Sequence, residues 1–208
     1  MAQFERARSS HQKRIRRQQL LDAAVALFDS EPWDAITVAR MARRAGLAKG
    51  TTYRYFATKE AVFLEVLLGE TAVWATALRA SVAPTGRRDV AWRFAQSLSL
   101  RPRLLRLLGL QHAVLEANVT PAAAGDFRRR LLVIHTGLAE WVERAAGHTP
   151  GAGLVFLRRA HALAVGLGQM AHPAKAVRAA MDADPALAVL KVDFAAELEQ
   201  SLAALLAG

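Results

Sequence analysis

Apolar positions recur along this chain at the three-to-four-residue spacing of helices, and no stretch alternates in the manner of a strand. Leu20, Ala24, Leu27 and Phe28 share one face of a helix predicted over Arg14 to Phe28, with Leu21 and Val25 widening the stripe. Val38, Met41, Ala42 and Ala45 stand at i, i+3, i+4 and i+7 and line a shorter helix from which Arg40, Arg43 and Arg44 point away. Gly46 follows the last periodic residue, where helices commonly end in a left-handed turn that glycine adopts without steric cost. Another helix starts almost at once. Its apolar anchors between Lys49 and Phe56 are few, chiefly Phe56 and one edge of Tyr53, so most of it is expected to face outward.

The pattern stays helical to the end. Thr58 is placed to cap a long helix from Lys59 to about Val82 that contains Phe63, Val66, Leu67 and Trp74, and Glu60 suits the positive end of its dipole. Pro84-Thr85-Gly86 interrupts, and further helices are predicted near Asp89 to Leu100, from Pro102 through Leu108 and from Gln111 to Asn118. Thr120-Pro121 reads as a cap followed by a first-turn proline, opening a helix to about Ala146 that stops at the loop His148 to Gly151. Two more apolar helices, Leu154 to Met170 and roughly Val189 to Leu206, are separated by Pro173, a short helical stretch and Pro185. The expected fold is all-α, with residues 1–13 as a basic arm, 14–60 as a three-helix domain continuing into a connecting helix 59–82, and 61–208 as a helical bundle.

Chemistry then singles out Thr37 to Glu60. Two helices joined by a short turn containing Gly, the second polar and exposed, match the helix-turn-helix arrangement, in which the second helix enters the major groove of DNA. Lys49, Arg54 and Lys59 can neutralise phosphates, while Thr51, Thr52, Tyr53 and Tyr55 carry hydroxyls able to reach phosphate oxygens or base edges. A polar helix face exposed merely to water is the bland alternative for any one of them. Upstream, Arg6, Arg8, Lys13, Arg14, Arg16 and Arg17 crowd into a dozen residues. They read either as a frayed terminus or as an arm along the DNA backbone. Charge favours DNA: of a net +10, residues 1–60 carry 12 basic against 6 acidic groups, or +6, and the longer remainder 16 against 12, or +4. That is the electrostatic footprint of a nucleic-acid-binding domain.

At these residues the chain resembles the TetR family of bacterial transcriptional regulators. The resemblance rests on Thr37, on Ala45-Gly46-Leu47, on Gly50-Thr51-Thr52-Tyr53-Arg54-Tyr55-Phe56 and on Lys59-Glu60. It implies DNA contacts from Thr37, Lys49, Thr51, Thr52, Tyr53 and Lys59; Arg14, Arg17, Arg43, Gly50, Arg54 and Tyr55 are further DNA-contact candidates beside them. One departure is Ala48, which stands where the family often has a side chain able to cap the recognition helix; a missing cap costs on the order of 1 kcal/mol locally.

The resemblance also implies a body that binds a small molecule and forms a homodimer through its last two long helices. Leu157, Ala164 and Leu167 on one, and Phe194, Leu198 and Leu202 on the other, are the dimer-interface candidates, although the same stripes could complete a monomer's core. Trp92, Gln111, His112, Glu116, His135, Trp141 and His161 are the ligand candidates, combining aromatic walls with polar groups that orient a ligand. For each of them an ordinary core role is the alternative.

Other readings are narrowed by what the sequence lacks. It has no cysteine, so thiol and disulfide chemistry is excluded. The charged first residues argue against a secretory signal and no run of about 18 uncharged apolar residues suggests a membrane span, so a cytoplasmic protein is expected. No phosphate loop, nucleophile elbow or zinc-protease motif occurs, and His112 with Glu116 supplies only two ligands, so neither enzyme, metal nor cofactor is expected. The function expected is that of a dimeric repressor released from a pseudo-palindromic operator by a small effector. The alternative is a DNA-binding regulator that answers to a protein partner or acts architecturally.

Overall fold

Glycines and prolines divide the chain where its helices stop. The computed structural model describes residues 2–81 and 84–207, with side chains from His11 onward, and holds ten α-helices there: α1 (Ala2–Ser30), α2 (Val38–Arg44), α3 (Lys49–Tyr53), α4 (Lys59–Ala80), α5 (Arg87–Ser99), α6 (Pro102–Leu110), α7 (Pro121–Ala146), α8 (Ala152–Ala171), α9 (Lys175–Ala183) and α10 (Phe194–Ala207). Short 3-10 turns at Trp33–Ala35, Glu116–Asn118 and Pro185–Leu190 and a π turn at Gln111–Leu115 complete the order, and no strand occurs among the described residues.

Several boundaries differ from expectation: the last helix, expected from roughly Val189, starts only at Phe194, after a 3-10 turn that takes in Val189 and Leu190. α1 begins at Ala2 rather than Arg14, so the segment read as an arm continues the helix. The physical reason is that residues 2–13 contain neither Gly nor Pro and are rich in Ala, Gln, Arg and Glu, all compatible with a helix. The side chains of Arg6 and Arg8 lie outside the described residues. So does Val82, to which the connecting helix was extended; α4 is described to Ala80. The stretch expected as a helix from Gln111 to Asn118 is instead the π turn and a 3-10 turn. Buried Gln111 donates to Glu116 Oε1 at 2.9 Å, and a bond between side chains five apart suits the wider π register.

The chain divides into two compact units, one formed by the residues up to Leu68 with Gln111–Phe127, the other by Gly69–Leu110 and the residues from Arg128 onward. In the first, α1, α2 and the start of α4 close over Leu20, Phe28, Ile36, Met41, Phe63 and Leu67. Phe28, Trp33 and Phe63 meet with ring centroids 5.0 to 6.4 Å apart. Thr58 does cap α4, accepting from Ala61 N at 3.1 Å, and its hydroxyl also donates to Asn118 O at 3.5 Å. α4 is long and apolar enough to pass for a membrane span by composition, yet it is a core helix, with Val62, Phe63, Leu67, Trp74 and Leu78 buried.

In the second unit α10 packs on α5 and α8, and α6 on α8. Trp74, Phe94 and Phe156 stack edge to face at 5.0 and 5.4 Å, and the Trp74 indole donates to Ser97 Oγ at 2.9 Å. α7 and α8 approach closely at Gly153, where a Cβ would lie 2.4 Å from the Ala139 carbonyl oxygen. Glu143 Oε1 accepts from the Gly151 and Gly153 N–H groups at 2.8 Å, satisfying donors at the start of α8. The Arg87 guanidinium donates to Ala146 O and Ala207 O at 3.1 and 3.4 Å, placing a cation on the negative ends of α7 and α10.

This packing shows where the dimer-interface candidates stand within one chain. Leu157, Ala164, Phe194, Leu198 and Leu202 are all buried within the single chain, and Leu167 is half-buried. The strongest apolar stripe of α10 packs on α5 and α8 of the same chain, as part of its core. The outward faces of these helices carry instead Leu154, Val155, Arg158 and Arg159 on α8, and Ala196, Glu197, Gln200 and Ala204 on α10.

Candidate nucleic-acid interface

Thr37 starts the motif as N-cap of α2, its hydroxyl accepting from Arg40 N at 3.3 Å. Val38, Met41, Ala42 and Ala45 turn inward as their spacing requires, with Met41 and Ala42 fully buried. The turn then reverses at Gly46, whose φ of +66° is the left-handed conformation expected there, and Leu47 N closes it onto Ala42 O at 2.9 Å. α3 follows with Ala48 at its N-cap and no side-chain cap bond, as the alanine dictates.

α3 presents most of its surface outward. Lys49, Gly50, Tyr53 and Arg54 are exposed, Tyr53 by half, and Thr51 and Tyr55 are half-buried. Arg14, Thr37 and Arg43 are exposed as well. Gly50 has an ordinary negative φ and open space where a Cβ would stand, so nothing within the fold demands a glycine there. Thr52 departs from expectation: it is completely buried beside Phe56 in sequence register, and its Oγ1 has no hydrogen-bond partner. A hydroxyl without solvent exposure cannot meet a base edge, so its place among the DNA contacts is corrected to a packing position. The helical period explains this: Thr52 and Phe56 stand four apart and share the inward face.

Two basic candidates are already engaged. Lys59 Nζ lies 4.3 Å from the centre of the Trp33 ring and donates to the Trp33 and Ile36 carbonyls at 3.2 Å each, tying the start of α4 to the loop before α2. Arg17 pairs with Glu65 and covers the Phe56 ring at 5.1 Å, which holds α1 across the base of the motif. Arg40 does likewise for the preceding loop, bonding Glu31 at 2.6 Å and Ala35 O at 2.9 Å. These anchors fix the angle at which α3 is displayed. Lys59 and Arg17 were both singled out from the sequence, for a different role; a cation beside Trp33 or Glu65 is a through-space contact that spacing does not reveal.

The ligand candidates fall into two groups. Gln111, His112 and Glu116 come together in the first unit, with His112 Nδ1 3.2 Å from Glu116 Oε2. Trp92, His135, Trp141 and His161 belong to the second, where Trp141 is buried, His135 and His161 are half-buried and Trp92 is largely exposed on α5. Burial pushes the His135 imidazole below its ordinary value, and the charge of Arg128 adds to the effect, so the ring is held neutral.

An exposed polar helix displayed across a glycine turn from a packed one defines a helix-turn-helix protein. Two family models match the chain, one for bacterial regulatory proteins of the tetR family over residues 20–66, the other for a Tetracyclin repressor-like C-terminal domain over residues 68–208. The chain belongs to the TetR family of transcriptional regulators. Among characterised proteins it is similar to the HTH-type transcriptional repressor KstR of Rhodococcus jostii, at 37% identity over 62 residues covering 30% of this chain and 29% of that protein. It is also similar to the nucleoid occlusion factor SlmA of Idiomarina loihiensis, at 35% over 54 residues covering 26% and 28%. The match thus spans less than a third of either relative. Whole-chain likeness is to solved folds: a TetR transcriptional regulator from Rhodococcus sp. RHA1 at TM-score 0.60 and 19% identity, covering 94% of this chain and 96% of that one. The fatty acid degradation regulator FadR of Bacillus halodurans follows at 0.54 and 16%, covering 92% and 97%.

Proposed function

We propose that the protein acts in the cytoplasm as a homodimeric repressor on a pseudo-palindromic DNA operator and is released from it by a small-molecule effector. The observation that carries this reading is the display of Lys49, Gly50, Tyr53 and Arg54 on an exposed helix held by Gly46, Lys59 and Arg17. Such a face places two cations and a phenol hydroxyl where phosphates and base edges lie when the helix enters the major groove. A two-fold dimer sets two of these helices about 34 Å apart, one turn of the duplex, which demands a symmetric site.

Release follows from linkage. An effector that binds better to a conformation whose recognition helices are wrongly spaced weakens DNA binding by the factor by which DNA weakens it, typically about 1–3 kcal/mol. His135, Trp141 and His161, on α7 and α8, are the groups proposed to receive it, with neutral His135 available as a hydrogen-bond donor or acceptor. Footprinting of genomic DNA with purified protein tests the reading. Protected palindromes that are lost with Tyr53→Ala and released by a compound are expected; protection of no site, or protection indifferent to Tyr53, overturns it.

A further inference from the structure

Lys59 opens α4 with its charge at the wrong end of a helix. The macrodipole favours anions there, as Glu60 beside it supplies, and disfavours a cation. What offsets this is the loop before α2. An ammonium group has three N–H donors; that of Lys59 donates to the Trp33 and Ile36 carbonyls at 3.2 Å each, and its Nζ stands 4.3 Å from the centre of the indole ring. Phe63, four residues along the same face of α4, meets that ring with centroids 5.0 Å apart. Trp33 is therefore gripped twice by α4, once by charge and once by ring contact.

The grip lies where it sets the direction of the exposed helix. Ile36, whose carbonyl Lys59 holds, directly precedes Thr37, the N-cap of α2, and Arg40 in α2 donates back to Ala35 O at 2.9 Å and to Glu31 at 2.6 Å. The carbonyls of Trp33, Ala35 and Ile36 thus take cations from both α4 and α2, which locks the start of α2 to the start of α4. α3 follows α2 across the Gly46 turn, so the angle at which α2 leaves the loop is passed on to it. An ammonium surrounded by two carbonyls and an indole face has its charge committed within the fold, and a phosphate would have to displace them. We infer that Lys59 and Trp33 are a positioning pair for operator recognition: they set the direction of α2 and α3, and Lys59 meets no phosphate itself. This replaces the direct contact that the family resemblance implies for Lys59.

This rests on the DNA-binding reading above and is tested apart from it. Affinity for a footprinted operator duplex is measured across a range of salt on the full-length protein, at a temperature where circular dichroism shows every variant folded, with Lys49→Ala as the reference for a lost phosphate contact. Lys59→Met should bind about tenfold more weakly with the salt slope of the parent, whereas loss of a phosphate contact lowers the magnitude of that slope by about 0.9. Trp33→Leu removes no charge and should weaken binding to a similar extent. The double variant should be about tenfold weaker than the parent rather than a hundredfold, because the two side chains act as one. Should Trp33→Leu fail to fold, the slope of Lys59→Met decides alone. A Lys59→Met slope reduced like that of Lys49→Ala, additive losses, or a lowered Tm with undiminished affinity overturns the positioning pair and leaves DNA binding intact. A parent chain that binds no duplex overturns both.

Discussion

Gly50 is the residue at which folding and DNA binding should part company. It occupies the first turn of α3, is exposed, has a negative φ, and would meet nothing within 4 Å if it gained a Cβ. Alanine is favoured over glycine in a helix by about 0.5–1 kcal/mol, because it has less backbone freedom to lose. For a chain of this size that stabilisation raises Tm by roughly 1–4 °C. On the proposed reading the same methyl stands between the start of α3 and the groove it enters. Losing one close contact there costs about 1–3 kcal/mol, or roughly 5- to 150-fold in affinity. Thermal melting and fluorescence anisotropy on a footprinted operator, at one salt concentration, measure the two effects on the same preparation. Gly50→Ala with unchanged operator affinity would show that this end of α3 does not approach DNA, and a lowered Tm would show that the fold does need the glycine.

Three other substitutions probe the rest of the molecule. Thr52→Val replaces a buried, unpaired hydroxyl by a methyl of the same shape and should leave stability unchanged or raise it by about 1 kcal/mol without altering operator preference; a lowered Tm or a changed base preference in a selection experiment contradicts the assignment. Gly153→Ala forces a methyl to 2.4 Å from the Ala139 carbonyl and should cost about 1–3 kcal/mol on melting, whereas Gly69→Ala, which meets open space, should not destabilise. His135 titrates below its ordinary value of 6.5 in the folded chain, so its contribution to stability is complete above that pH and is lost as pH falls toward the folded value. His135→Gln should therefore flatten the decline in Tm as pH falls below the ordinary histidine value of 6.5; the contribution of Asp89, held low by its hydrogen bond from Arg93, is lost only at more acid pH, below its ordinary 3.8.

Punctuation made most of the fold legible. Pro84, Pro102, Pro121, Pro173 and Pro185 and the glycines at 46, 147 and 151 end or open helices where their backbone limits require. The α2 face, the Gly46 turn and the exposed α3 followed from local period and turn chemistry alone. What the sequence concealed depends on contacts between distant residues. The π turn at Gln111 is accompanied by a bond between side chains five apart, invisible to a search at helical spacing. Lys59 and Arg17 look like free cations until Trp33 and Glu65 are brought beside them. The stripe of Phe194, Leu198 and Leu202 was legible as apolar, but whether such a stripe meets its own subunit or another is decided by whether α5 is available to fill it, which no local pattern records.

The salt dependence of operator binding tests the central claim most directly. If α3 and its surroundings meet the duplex backbone through exposed cations, log K should fall linearly with log salt, with a slope of about −5 for roughly six phosphates, and Lys49→Ala should reduce its magnitude by about one. An affinity indifferent to salt, or absence of binding to any duplex at low ionic strength, would contradict the account.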